Sequence, residues 1–146
     1  PCDERNSDGK YTLDDVRGIS TDKKFISTKA NMDGVSLTSY KVVNLNEFAY
    51  VADTSRRGNK IALALNSTSS AVLISSIYTA FRSKDIDKLL PGYLYLILSR
   101  SEFDRYSRFN SWGSARETFD WSEFCRTEIP LPSIEVQQEV VDTWLW

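Results

Sequence analysis

The sequence predicts an α+β domain: a strand-rich antiparallel or mixed sheet with packed helices. Three observations carry that expectation. Short runs of β-forming residues, divided by turn residues, fill positions 40–82. Helical pattern replaces them from Pro91 onward. The spacers between the extended runs are too short for a parallel βαβ crossover, which favours antiparallel pairing.

The elements follow in order. Residues 1–10 are polar and contain the turn pair Asp8-Gly9, which predicts a disordered N-terminal segment. Thr12-Leu13-Asp14-Asp15 reads as a short helix start, with Thr12 as cap, Asp15 in the first turn and Gly18 as its end. Asn31-Met32-Asp33-Gly34 is turn chemistry. Extended runs are expected at 40–43, 48–51, 60–65, 71–74 and 77–82. In the third, Ile61, Leu63 and Leu65 alternate with alanines. Asn44-Leu45-Asn46, Ser55-Arg56-Arg57-Gly58-Asn59 and Asn66-Ser67-Thr68-Ser69-Ser70 separate these runs.

Pro91 suits the first turn of a helix. Tyr93 to Leu98 is apolar on nearly every side, which predicts burial. Ser101 is expected to cap a second helix reaching about Arg108. Asn110 to Ser114 is a loop, and Trp121 to Phe124 a helical turn. Ile129-Pro130-Leu131-Pro132 must be extended, because a residue before proline is pushed out of the helical region. Ser133 then caps a last helix through Gln137, Gln138 and Val140. No internal repeat is visible. The expected organisation is a disordered segment at 1–10, one domain at 11–132 and a helix beginning at 133–146.

Composition bounds the chemistry. The 146 residues, 41% hydrophobic and 26% charged, suit a soluble globular domain with a real core. No apolar run approaches the roughly 18 residues of a membrane span. The polar N-terminus predicts no signal peptide, and a first residue other than Met suggests a piece of a longer protein. Two cysteines, Cys2 and Cys125, are too few for a disulfide scaffold and point to a cytoplasmic location. The chain has no histidine. A Ser-His-Asp triad and a His-ligated zinc site are therefore excluded within it. Asp14 with Asp15, or Asp53 with Lys60, lacks the converging acids of a magnesium nuclease centre. There is no phosphate-cradling loop and no Asn-Pro-Pro-Tyr methyltransferase motif. No catalysis and no cofactor are expected of this chain.

Charge is unevenly placed. The net value is −2, yet residues 117–146 carry seven acids and one base. Residues 1–116 carry 17 bases against 13 acids. A mildly basic body could face phosphate while the acidic end faces something else. Two basic clusters stand out. Arg56, Arg57, Asn59 and Lys60 surround Gly58 in a small loop between expected strands. Arg pairs with guanine through two hydrogen bonds, Asn with adenine, and Lys neutralises phosphate. A solvated hairpin tip is the other reading. The second cluster is Arg105, Arg108, Asn110, Ser111, Trp112 and Arg116, with Arg100 nearby. Arg105 and Arg108 share a helical face. Here the other reading is helix solvation with Trp112 in the core.

Five segments, in order, bear on function. They are Tyr40-Lys41-Val42-Val43 with Glu47-Phe48-Ala49-Tyr50; Arg57-Gly58-Asn59-Lys60-Ile61-Ala62-Leu63-Ala64; Val72 to Phe81; Gly113-Ser114-Ala115-Arg116; and Ile129-Pro130-Leu131-Pro132-Ser133-Ile134-Glu135-Val136-Gln137-Gln138. Together they resemble the target-recognition domain of a type I restriction–modification specificity subunit. Ser76 stands where that family often has proline. The resemblance implies a recognition globule that docks loops into the DNA major groove and ends at the start of a spacer helix, here reaching Trp144-Leu145-Trp146. It implies double-stranded DNA, DNA methyltransferase (modification) subunits and, through the complex, a restriction motor subunit as partners, with no membrane. The modification subunits would carry S-adenosylmethionine and the motor subunits would hydrolyse ATP. The specificity chain would read half of a bipartite target and catalyse nothing. A recognition module of a single-chain restriction–methylation enzyme, and a protein-interaction module without DNA binding, are the alternatives.

Overall fold

The computed structural model describes residues 1–28, 36–52, 60–111 and 118–144. They form two compact units. The first holds residues 1–51 and 62–82, the second 52–61 and 83–146. The expected single domain at 11–132 is thus divided, and the last helix belongs with the second unit. Among the described residues every strand lies in the first unit and every α-helix in the second. This segregation is the α+β class.

The first unit is built from seven strands: β1 (Arg17–Ile19), β2 (Phe25–Ser27), β3 (Lys41–Val43), β4 (Glu47–Tyr50), β5 (Leu63–Leu65), β6 (Val72–Ile74) and β7 (Thr79–Arg82). β1 pairs with β2, β3 with β6, and β4 lies between β5 and β7. All these pairings are antiparallel. β4 is buried along its whole length, as a central strand covered on both faces must be. Phe48 stacks on Phe81 directly across the ladder, with ring centroids 4.9 Å apart. Ala49, Ala64 and Ala80 share a core with Val43, Val51 and Ile74. Ala64, with Ala62 in the same core, belongs to the alternating alanines of the third extended run. Asn66 forms the expected turn: its side chain accepts from the Thr68 N–H at 3.0 Å and donates to the Val43 carbonyl at 2.9 Å.

Two expectations need correction here. The segment 1–10 is not loose. Cys2 N–H donates to the Ala80 carbonyl at 2.8 Å, and Val42 N–H donates to the Glu4 carbonyl at 2.9 Å. Asn6 is 1% exposed, and its amide bonds both the N–H and the carbonyl of Tyr11. Backbone pairing to the sheet edge orders these residues, whatever their polarity. Gly18 ends no helix. The Leu13–Asp15 turn is a single 3₁₀ turn in which the Asp15 carboxylate accepts from Thr12 N–H at 2.9 Å. Gly18 sits in β1 opposite Ile26, whose Cγ1 would lie 3.4 Å from an added Cβ.

The second unit contains α1 (Pro91–Leu98), α2 (Ser101–Phe109), α3 (Trp121–Phe124) and α4 (Ile134–Trp144). α1 begins at Pro91 as expected, with Tyr93, Leu94 and Leu98 buried and Leu96 and Ile97 half-buried. The cap of α2 is Arg100 rather than Ser101, which is its first helical residue. Phe103, Tyr106, Phe119 and Phe124 form an aromatic core, with Phe103 meeting Phe119 and Phe124 edge-on at 6.0 and 5.5 Å. The Ser133 hydroxyl accepts from Val136 N–H at 3.4 Å, which caps α4. Among the described residues, no helix is long and apolar enough to cross a membrane.

Candidate nucleic-acid interface

Among the described residues α2 is the most amphipathic helix, and its faces are cleanly divided. Phe103, Asp104 and Ser107 are buried. Arg105 and Arg108 are exposed, and with Ser101 they recur at i, i+4 and i+7, forming one stripe. Asp104 lies at the edge of that stripe and turns inward. Its Oδ1 accepts a hydrogen bond from the Ile61 backbone N–H at 3.0 Å. This bond places the exposed Lys60 beside the helix. Lys60, Ser101, Asp104, Arg105, Arg108 and Phe109 line one open groove of about 500 Å³.

Residues from the two predicted clusters therefore meet. Lys60 comes from the first, Arg105 and Arg108 from the second. Arg56, Arg57 and Asn59 of the first cluster, and Trp112 and Arg116 of the second, lie outside the described residues. Asn110 and Ser111 have a different role from the one expected. The Asn110 amide donates to the Tyr106 carbonyl at 2.8 Å, and the buried Ser111 hydroxyl donates to the Ser107 carbonyl. The Ser111 bond satisfies a carbonyl that the last helical turn leaves open, while the Asn110 amide joins its own backbone N–H on the Tyr106 carbonyl. Ser111 is thus a helix-ending residue, not a surface contact. Arg100 lines a separate apolar groove with Tyr93, Ile97, Pro130, Val140 and Trp144.

Phe109 is the residue that sequence reasoning missed. It is 81% exposed at the end of α2 and forms part of the groove wall. Spacing gave little signal, because Phe109 continues the three-residue interval from Phe103 to Tyr106 and so reads as a core position. At the other end of α2, Arg100 Nε lies 3.4 Å from Glu102 Oε2. A hydrogen bond to its own backbone amide, and then the Arg100 guanidinium, hold the Glu102 carboxyl below the usual carboxylate range.

Among the described residues, no group of three or more His, Cys, Asp or Glu side chains could hold a metal ion. The described lining of the groove holds three cations, an aromatic ring, a hydroxyl and one carboxylate, Asp104, which is bonded to the Ile61 N–H; the balance of charge is positive. No protein-family model matches the chain, and no curated protein matches it at a significant level.

Proposed function

We propose that this chain is a DNA-reading specificity component of a type I restriction–modification complex. It reads one half of a bipartite target and directs methylation and cleavage by partner subunits. The chain itself catalyses nothing and works in the cytoplasm. The observation that carries the reading is the convergence of Lys60, Arg105 and Arg108 on one groove, from clusters 45 or more positions apart in the sequence. The five ordered sequence motifs support the choice of family. Lys60 neutralises phosphate, and Arg105 and Arg108 supply base or phosphate contacts. Arg56, Arg57 and Asn59 directly precede Lys60 in the sequence and are proposed as further contacts. Trp112 and Arg116 follow α2 in the sequence and are proposed as contacts as well.

The test is binding of the full chain to duplex DNA across a range of salt concentrations. Affinity should fall steeply with salt, by a slope of about 0.9 per phosphate neutralised. Replacing Arg56 and Arg57 together by Glu should weaken binding and flatten the slope. Unchanged binding removes that loop from the site. Absence of salt-dependent binding, even with a modification subunit present, rejects the reading in favour of a protein-interaction module. The apolar groove below Trp144, which is 73% exposed, is the observation favouring that second reading.

A further inference from the structure

Phe109 needs an explanation that phosphate binding does not supply. A phosphate is met by N–H groups and cations. Here the groove is walled chiefly by apolar surface, and Phe109, Lys60, Arg105 and Arg108 are among the residues that line it. Its volume of about 500 Å³ lies within the range of small-molecule sites. Among the described lining residues the one acid, Asp104, is buried and bonded to the Ile61 N–H. Apolar walls, a ring and flanking positive charge together fit a nucleobase with its phosphates. A base inside duplex DNA shows only its edges, because its faces are covered by neighbouring pairs. A ring reaches a base face either as a wedge between base steps or by receiving a base that has left the helix, and a ring set in the wall of a groove suits the second.

We infer that the groove holds one unpaired base of the bound DNA, stacked on the Phe109 ring, with Lys60, Arg105 and Arg108 on the flanking phosphates. This rests on the DNA-binding reading above. The full chain favours DNA in which one nucleotide is already unpaired, because the cost of unstacking has been met in advance.

The experiment compares two labelled duplexes of the same random sequence, one fully paired and one with a single bulged 2-aminopurine nucleotide. The bulged duplex should bind on the order of tenfold more tightly, with quenching of 2-aminopurine fluorescence. F109A should abolish both the preference and the quenching, so that it binds the two duplexes equally. F109W should keep both. Equal binding of the two duplexes by the unaltered chain, or a preference that survives F109A, overturns the inference and leaves duplex binding standing. Failure to bind either duplex with salt dependence overturns both.

Discussion

The Asp104 carboxylate and the Ile61 backbone N–H, 43 positions apart in sequence, are joined by a 3.0 Å hydrogen bond. Ile61 is fully buried and Asp104 nearly so. The bond ties the segment carrying Lys60 to the helix carrying Arg105 and Arg108. An acid beside a cationic groove would, on charge alone, oppose DNA. As a tether it assembles the groove.

These two roles predict opposite outcomes for D104A. Charge alone predicts tighter DNA binding after the acid is removed. The tether predicts weaker binding, together with a stability loss of about 1–3 kcal/mol, because a buried N–H loses its acceptor. The expected result is the second. D104N keeps a carbonyl acceptor while removing the charge, so it should bind DNA at least as well as the unaltered chain. Urea unfolding and fluorescence anisotropy on both variants check this. D104A that binds more tightly would reject the tether.

Arg105 and Arg108 should act as two phosphate-facing cations on one stripe. Replacing both by Gln should lower the magnitude of the salt slope by about two and weaken binding similarly across DNA sequences. If instead one of them reads a base, its single variant should relax specificity at one position, at a cost of about 1–3 kcal/mol. Anisotropy titrations at several salt concentrations on two unrelated duplexes separate these outcomes. Both side chains are exposed, so thermal stability should stay within about 0.5 kcal/mol.

Much of this arrangement was legible in the sequence, and the rest was hidden for physical reasons. Local chemistry announced the turn at Asn66, the start of α1 at Pro91, the short α3 and the cap at Ser133. The antiparallel pairing followed from short spacers. The β1–β2 hairpin was hidden because its strands are three residues each and one contains Gly18, which reads as a terminator. The ordering of residues 1–10 was hidden because it comes from backbone pairing and the buried Asn6, and neither leaves a compositional trace. At the site, helical spacing revealed the Arg105–Arg108 stripe. The position of Lys60 depends on the distant Asp104–Ile61 bond, which no local pattern encodes. Ser111 looked like a groove contact because a loop serine and a helix-ending serine have the same sequence signal.

The start of α2 should respond to acid through Glu102. Its folded pKa is depressed, so its contribution is present above the ordinary carboxylate range and is lost as pH falls through the folded value. The side chain is well exposed, which keeps the effect local to the first helical turn. A carbon-detected NMR titration should place Glu102 below the other exposed glutamates. In R100A the shift should shrink but not vanish, because the bond to its own backbone amide is the larger cause. A Glu102 that titrates with the ordinary glutamates would reject this account.

Gln137 offers the sharpest test of how α4 is held. It is 0% exposed, and its amide is used on both sides. Oε1 accepts from Leu90 N–H at 2.9 Å, while Nε2 donates to the carbonyls of Lys88 at 2.8 Å and Pro132 at 2.9 Å. One side chain thus joins the entry to α1, the extended proline segment and α4. Q137A should cost about 2–3 kcal/mol by leaving buried backbone groups unpaired. Q137E is nearly isosteric, yet near neutral pH it would set a carboxylate oxygen against two carbonyl oxygens. It should therefore be at least as damaging as Q137A there. Toward pH about 4 the carboxyl gains a proton and can donate to one carbonyl, so the gap between Q137E and the unaltered chain should narrow. The gap for Q137A should not change with pH. Urea unfolding of the three proteins at both pH values decides it: a Q137E deficit that is small and independent of pH would mean that Gln137 only fills space.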